Sequence, residues 1–197
     1  SSNPQSPTNA QNVVLSGKAP NGAKSLKLFD NGAELVSFAI PSTDWTYNFQ
    51  PEAKDYSLVA ASYDELNQEI SRSSAFTLVI DREPPSVPTF SSEGIPAQTN
   101  QNTYSFSVSV EGFDSEKSPP VMVQAYNNDS PAGTAANITQ NGNPATINVT
   151  LTPGTNNIYF RSSDKAGNMS EKSAQVTINQ SGEATGGVSS ILIDGSY

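Results

Sequence analysis

The sequence predicts an all-β protein made of two β-sandwich domains in tandem, on three observations. Short runs alternate apolar and polar residues, the period of strands with one buried face, and no apolar stripe of helical spacing interrupts them. One pattern is written twice: Trp45-Thr46-Tyr47-Asn48-Phe49, Pro51, Tyr56-Ser57-Leu58-Val59-Ala60, Asp64 and Asn67 reappear as Thr146-Ile147-Asn148-Val149-Thr150-Leu151, Pro153, Ile158-Tyr159-Phe160, Asp164 and Asn168. Between the copies lies Asp81-Arg82-Glu83-Pro84-Pro85-Ser86-Val87-Pro88, whose prolines fix φ, lack amide donors and hold the preceding residues extended. That is a short, stiff hinge. The expected domains are residues 1–82 and 83–180, followed by a Ser/Gly-rich tail, 181–197, in which Ile191-Leu192-Ile193 suits the first strand of a further module.

Along the chain, Ser1 to Asn12 is polar and offers at most a short edge strand. Val13 to Gly17 reads as a strand, and Pro20-Asn21-Gly22 as a turn. Ser25 to Phe29 alternates, meets Asp30-Asn31-Gly32, and resumes as Leu35 to Ile40; strand, Asn-Gly, strand is the strongest short-range hairpin signal. Trp45, Tyr47 and Phe49 share one face of the next strand, Tyr56, Leu58 and Ala60 one face of another. A polar loop is expected from Ser62 to Ser73, then a closing strand through Phe76, Leu78 and Ile80. In the second half, Tyr104, Phe106, Val108 and Val110 mark one strand and Val121, Val123 and Ala125 another, ended by Asn127-Asn128-Asp129. Ser130 to Pro144 reads as a loop. Ile147, Val149 and Leu151 take the place of the aromatic strand, Ile158 and Phe160 that of Tyr56 and Leu58, and Val176 and Ile178 that of the closing strand.

Composition narrows the chemistry. With 35% hydrophobic residues, 13 glycines and 14 prolines, the 197 residues supply two thin cores and turns throughout. There is no cysteine and no histidine. Disulfides, thiolate nucleophiles, the Ser-His-Asp relay and imidazole-ligated metals are therefore excluded, which leaves carboxylate chemistry and hard-cation binding by oxygen. The net charge of −9, with scattered basic residues, argues against nucleic acid, which needs clustered Lys and Arg to neutralise phosphates. No run approaches the roughly 20 apolar residues needed to cross a bilayer, so no membrane insertion by these residues is expected. A polar start without a signal pattern suggests a piece of a longer chain.

Leu15-Ser16-Gly17-Lys18-Ala19, Lys24-Ser25-Leu26-Lys27-Leu28-Phe29-Asp30-Asn31-Gly32, Trp45-Thr46-Tyr47, Tyr56 to Ala60 and the acidic Pro-Pro hinge resemble the bacterial immunoglobulin-like (Big-type) repeat domains of large surface adhesins. The second half carries that signature in Thr152-Pro153-Gly154-Thr155-Asn156 and Asp164-Lys165-Ala166-Gly167-Asn168-Met169-Ser170. The resemblance spans about residues 12–180 and implies two tandem immunoglobulin-like domains on a bacterial cell surface or in a secreted protein. The halves differ. The first has Asp64-Glu65-Leu66-Asn67, read as one residue shorter than the Asp-Lys-Ala-Gly-Asn turn, and Phe113 to Ser118 replaces the Gly-rich segment expected in the second.

No catalytic, cofactor-binding or metal-ligating residue is assigned. Some repeats of the resembled kind stiffen their junctions with calcium, which makes Asp81 and Glu83, with Asp64, Asp114, Glu116 and Asp164, a candidate oxygen-ligand set; ordinary solvated turn carboxylates explain the same residues. Trp45 suits sugar stacking by type, but its alternation with Tyr47 and Phe49 places it in the core. Tyr63 and Phe113 are better candidates for exposed contact. Tyr56 fits a tyrosine corner that only the first half would possess, since Ile158 is read as its counterpart. Lys27 alternates outward, against a Lys-Asn cross-link, and the sequons at Asn128, Asn137, Asn148 and Asn168 are expected by chance in so Ser/Thr/Asn-rich a chain. A glycosidase would need two carboxylates facing across a cleft, and nothing pairs any two.

The expected function is a non-catalytic stalk or adhesive segment of an extracellular bacterial cell-surface or secreted protein. Its expected partners are neighbouring Ig-like repeats of the same chain and a host or prey surface protein or glycan. Two alternatives stay open. One is a carbohydrate- or receptor-binding tip using Ser130 to Asn143 and Phe113 to Pro120; the other is an accessory module of a secreted polysaccharide-degrading enzyme.

Overall fold

The alternating runs become strands that close over two separate cores in the computed structural model, which describes residues 4–112 and 117–182. In the first sandwich, β1 (Val13–Lys18) pairs antiparallel with β4 (Asp44–Phe49) to make one sheet. The facing sheet has β2 (Ser25–Asp30) between β3 (Ala33–Ala39) and β5 (Asp55–Tyr63). β5 carries β7 (Phe76–Val79) along its first half and β6 (Glu69–Arg72) along its end. Asn31 (φ 49°) and Gly32 (φ 84°) form the β2–β3 turn, the two successive positive φ values of a hairpin that Asn-Gly favours. Leu15, Leu26, Leu28, Leu58, Leu78 and Ile80 fill the core, with Phe38, Trp45, Tyr47 and Phe49 half-buried against it.

The second sandwich repeats the plan with more strands. One sheet is β8 (Thr89–Phe90), β10 (Thr103–Ser109) and β13 (Ala145–Thr150), with β10 in the middle. The other runs β12 (Ser130–Ile138), β11 (Val121–Asn127), β14 (Gly154–Ser163), β15 (Val176–Gln180) and β9 (Gln98–Thr99), the last pair parallel. Its core centres on Phe106, Ile147, Ile158, Phe160 and Ile178. Tyr56 stands opposite Leu78 and Asn156 opposite Ile178, so from the β4/β13 strands onward the two copies share one register at a spacing of 100 residues. Among the described residues, the β1–β4 sheet of the first sandwich has two strands where the equivalent β10–β13 sheet has a third, β8.

Three expectations are corrected. Ser62 to Ser73 is not a loop: β5 continues to Tyr63 and turns back as β6, every residue of which is exposed and so shows no alternation of burial to read. Ser130 to Pro144 is not a loop either, because its first nine residues form the edge strand β12. Pro131 and Gly133 hide that strand in the sequence; an edge tolerates them, and the pairing with β11 slips between Val123 and Ala125. Finally, the shared register makes Ile158 the counterpart of Leu58, and Asn156 that of Tyr56.

Candidate functional site at the interdomain junction

The hinge is strapped to the first sandwich before it reaches the second. The Arg82 guanidinium Nη2 donates to the carbonyls of Ala10 (3.0 Å) and Pro51 (2.9 Å), and the Asp81 amide to the Thr8 carbonyl (3.1 Å). Asp81 is 2% exposed. Its Oδ1 accepts the Glu83 amide at 3.0 Å, which turns the chain into the prolines, and its Oδ2 accepts the Ser118 hydroxyl of the second sandwich at 2.7 Å. A buried carboxylate needs such donors, because burial without them costs several kcal/mol (about 1–3 or more per unsatisfied group).

The second sandwich meets the hinge with the turn Asp164 to Asn168. Asp164 Oδ1 accepts the amides of Gly167 (2.7 Å) and Asn168 (2.8 Å), while Oδ2 accepts Asn168 Nδ2 (2.8 Å). Thus oriented, the same Asn168 amide donates across the junction to the Asp81 carbonyl at 2.9 Å. Beside it the Asn9 amide donates to the Ala166 carbonyl (3.2 Å), the Lys165 amide to the Ser118 carbonyl (2.8 Å), and the Ser162 hydroxyl to the Ser86 carbonyl (2.6 Å). Gly167 is required for its φ of 94°, since the space where a Cβ would stand leaves ordinary contact with Asn9.

The first sandwich has the same turn at the other end. Asp64 Oδ1 accepts the amides of Leu66 (2.9 Å) and Gln68 (2.8 Å), and the Asp64 amide donates to the Gln68 carbonyl as Asp164 does to Asn168. The two turns are therefore equal in length, correcting the shorter reading: Asn67, at φ 57°, does the work of Gly167, and Gln68 stands for Asn168. One difference stands out in exposure. Ala166 is 4% exposed at the junction, whereas Leu66, its counterpart, is 76% exposed.

Of the candidate calcium ligands, Asp81, Asp164 and Asp64 spend carboxylate oxygens on protein donors, and Glu83 is exposed at the edge of a small polar recess of about 100 Å³ between the hinge and Lys117. Asp64 lies at the turn whose counterpart, Asp164, holds the junction, and is not gathered with Asp81. No group of three or more Asp or Glu suited to a metal ion occurs among the described residues. Asp114 and Glu116, like Phe113, lie outside them.

The remaining candidates are structural. Trp45 is half-buried, edge-on to Phe38 with ring centroids 6.3 Å apart, and its indole covers Gly17 so closely that a Cβ there would sit 2.6 Å from the ring. Tyr63 is partly covered: its hydroxyl donates to Glu69 Oε2 (3.2 Å), and Lys27, 3.1 Å from Glu34, lies over its ring. The Tyr56 hydroxyl accepts the Glu52 amide (2.7 Å) and faces the Glu52 carbonyl (3.4 Å). Asn156 makes both ties with one amide group, Oδ1 accepting the Thr152 amide and Nδ2 donating to the Thr152 carbonyl, each at 2.8 Å. Both domains thus have the loop tie expected of one. Asp30 is buried and titrates below the usual carboxylate value: burial opposes its charge, but the Lys54 ammonium at 3.0 Å and the Ser57 amide outweigh that. Asp129 is lowered likewise by Lys172 and the Tyr159 hydroxyl. Of the sequons, Asn168 is buried in the junction and Asn148 accepts the Ser105 hydroxyl at 2.6 Å. Sequence reasoning quoted Asn168, Ser118 and Asn156 but gave none of them a place in the junction or the loop tie, and missed Asn9. The one available signal was the Asp-x-x-x-Asn/Gln spacing common to both turns.

No protein family matches the sequence, and no curated protein matches it. Among solved structures the chain is similar to the fibronectin(III)-like modules of Clostridium thermocellum CbhA, at 11% identity over 91% of this chain and 93% of that one, with a TM-score of 0.60. Further similarities are to the FN1–FN3 domains of chicken CNTN1 (10% identity, 87% and 60% covered, TM-score 0.49) and to a two-domain fibronectin type-III segment of chicken tenascin (16%, 89% and 95%, TM-score 0.32). Strand order, paired cores and the first of these likenesses define the class: an all-β tandem of two immunoglobulin-like, fibronectin-III-like sandwiches.

Proposed function

We propose that the chain is a non-catalytic stalk or adhesive segment of a bacterial cell-surface or secreted protein, of the kind built from Big-type repeats, with residues 1–82 and 83–180 as its two units. The observation that carries this reading is the clasp on the hinge. Asp81 receives Ser118 on its carboxylate and Asn168 on its carbonyl, and Asn9 and Ser86 add contacts on either side. A hinge held from both domains transmits position instead of absorbing it, which is what a spacer requires. Contact with a host or prey protein or glycan would then come from exposed loops, weak singly and added through avidity.

Small-angle scattering tests the reading. A single extended arrangement, unchanged between calcium and chelator, is expected, because the clasp uses protein donors only. A profile that needs an ensemble of interdomain angles would sink the spacer. Specific retention on a glycan array, lost on changing exposed β12 residues, would replace it with the binding-tip reading.

A further inference from the structure

An outer strand of a sheet holds backbone donors and acceptors that the sheet itself leaves unmatched, and charge, proline, slips in pairing or brevity keep them from another chain. Several edges here have such guards. β6 is exposed throughout and carries Glu69 and Arg72, 2.7 Å apart; β12 carries Pro131 and the slip in its pairing with β11; β8 and β9 are two residues each. β3 is less guarded. Its one charged residue, Glu34, lies near its start and is held by Lys27 at 3.1 Å, its slip against β2 falls at Leu35, and from Val36 to Ala39 it pairs regularly with neither charge nor proline. Among the described residues its one partner is β2.

The register identifies the unmatched groups. The Ile40 amide donates to the Lys24 carbonyl at 3.0 Å, and backbone direction alternates along a strand, so Val36 and Phe38 also face β2 while Ser37 and Ala39 turn their amides and carbonyls outward. Both outward residues are exposed. A second observation concerns what borders this edge. In the second sandwich the equivalent strand, β12, lies against β13 at Gly133. β3 instead meets β4 through half-buried rings, Phe38 stacked on Tyr47 with centroids 5.2 Å apart and edge-on to Trp45 at 6.3 Å. An uncharged strand edge thus runs beside partly open apolar surface.

We propose that β3 pairs antiparallel with β3 of a second copy of the chain, about a twofold axis at Phe38. With Ser37 opposite the partner's Ala39, the outward amides and carbonyls of both residues are matched in both copies, and each Phe38 ring meets its own mate. Self-complementarity selects this occupant. The same register sets Val36 opposite the partner's Ile40 and brings no charge against another, so the edge supplies by itself all that it needs from a partner. Backbone hydrogen bonds to an exposed edge give the affinity, and the twofold uses the same patch on both copies, so the assembly closes at two. Two first sandwiches then share one continuous sheet. The inference goes beyond the spacer reading and fails separately from it: a chain that is rigid in scattering yet monomeric sinks this inference alone.

Sedimentation of the full chain, in salt enough to screen the net charge of −9 on each copy, should show a concentration-dependent dimer and nothing larger. In the dimer, exchange of the Ser37 and Ala39 amides should slow as concentration rises. The double variant Ser37→Glu/Ala39→Glu gathers like charges on the outer face of the shared sheet and should be monomeric, as should Ser37→Lys/Ala39→Lys. Both positions are exposed, so each variant should keep the circular dichroism of the parent. An equimolar mixture of the two variants should dimerise again. A parent that stays monomeric at millimolar concentration, growth beyond two copies, dimers that survive in either variant alone, or a mixture that stays monomeric while the parent's Ser37 and Ala39 amides exchange equally fast at every concentration each overturns the proposal.

Discussion

Asn156 does with an amide what Tyr56 does with a hydroxyl, and does more. It is fully buried, and its Oδ1 also accepts Asn127 Nδ2 at 2.6 Å while its Nδ2 donates to the carbonyls of Gly154 (2.9 Å) and Ile178 (3.3 Å). Truncation leaves several buried partners unsatisfied at once, whereas removing the Tyr56 hydroxyl exposes the Glu52 groups to water at the loop. Asn156→Ala should therefore lower unfolding stability by about 2–4 kcal/mol and Tyr56→Phe by about 1 kcal/mol, read from urea midpoints. Asp30 governs acid behaviour. Its carboxyl titrates lower in the folded chain than its ordinary value of 3.8, so its stabilisation is full above that pH and disappears as pH falls through the lower folded value. Asp30→Asn should unfold more easily than the parent at neutral pH, and the gap should close below about pH 3.8. A gap that widens on acidification would contradict the assignment of Lys54 and Ser57 as its stabilising partners.

Among the elements, β12 depends on one residue of a stretch that sequence reading took for a loop. Gly133 has a φ of 73°, and a Cβ placed there would collide with the Asn148 carbonyl, so β12 lies against β13 only because that side chain is missing. Gly133→Ala should cost about 1–3 kcal/mol, with amide exchange rising first along Ser130–Ile138. This residue also marks the limit of what the sequence could reveal. Strands with an inward face, such as β2 with Leu26 and Leu28 or β13 with Ile147 and Val149, were legible because burial imposes alternation. So were the turns at Asn31-Gly32 and Asn128-Asp129, where positive φ restricts the residue types. Edge strands β6 and β12 answer to neither constraint, having little buried face and no need for β-branched residues. The junction was legible as a proline-stiffened connection and an Asp-rich turn, but its clasp was not. Asn168, Ser118 and Asn9 are common surface types whose role depends on meeting Asp81 and Ala166 from distant parts of the chain.

For the whole molecule, the junction predicts a mechanical outcome of a small change. Asn168→Ala deletes the donor to the Asp81 carbonyl while leaving the Asp164 bonds to the Gly167 and Asn168 amides in place. Scattering should then show a broader spread of interdomain angles, with both sandwiches still folded by circular dichroism. An unaltered profile would mean that Ser118, Asn9 and Ser86 hold the hinge without it. The parallel pairing of β9 with β15, and of Thr8 with Ile80, bears on how the chain carries load. Tension along the polypeptide pulls the two members of each such pair in opposite directions along their length, so their bonds must rupture together instead of unzipping one by one. The second sandwich joins Ala97 to Asn179 and Thr99 to Ser181, by backbone and by the Ser181 hydroxyl, while the first has the Thr8 contacts and the Ser6 hydroxyl on Val79. Stretched by a cantilever, each sandwich should therefore hold as a clamp loaded in shear and give way in one abrupt step, with no gradual peeling before it.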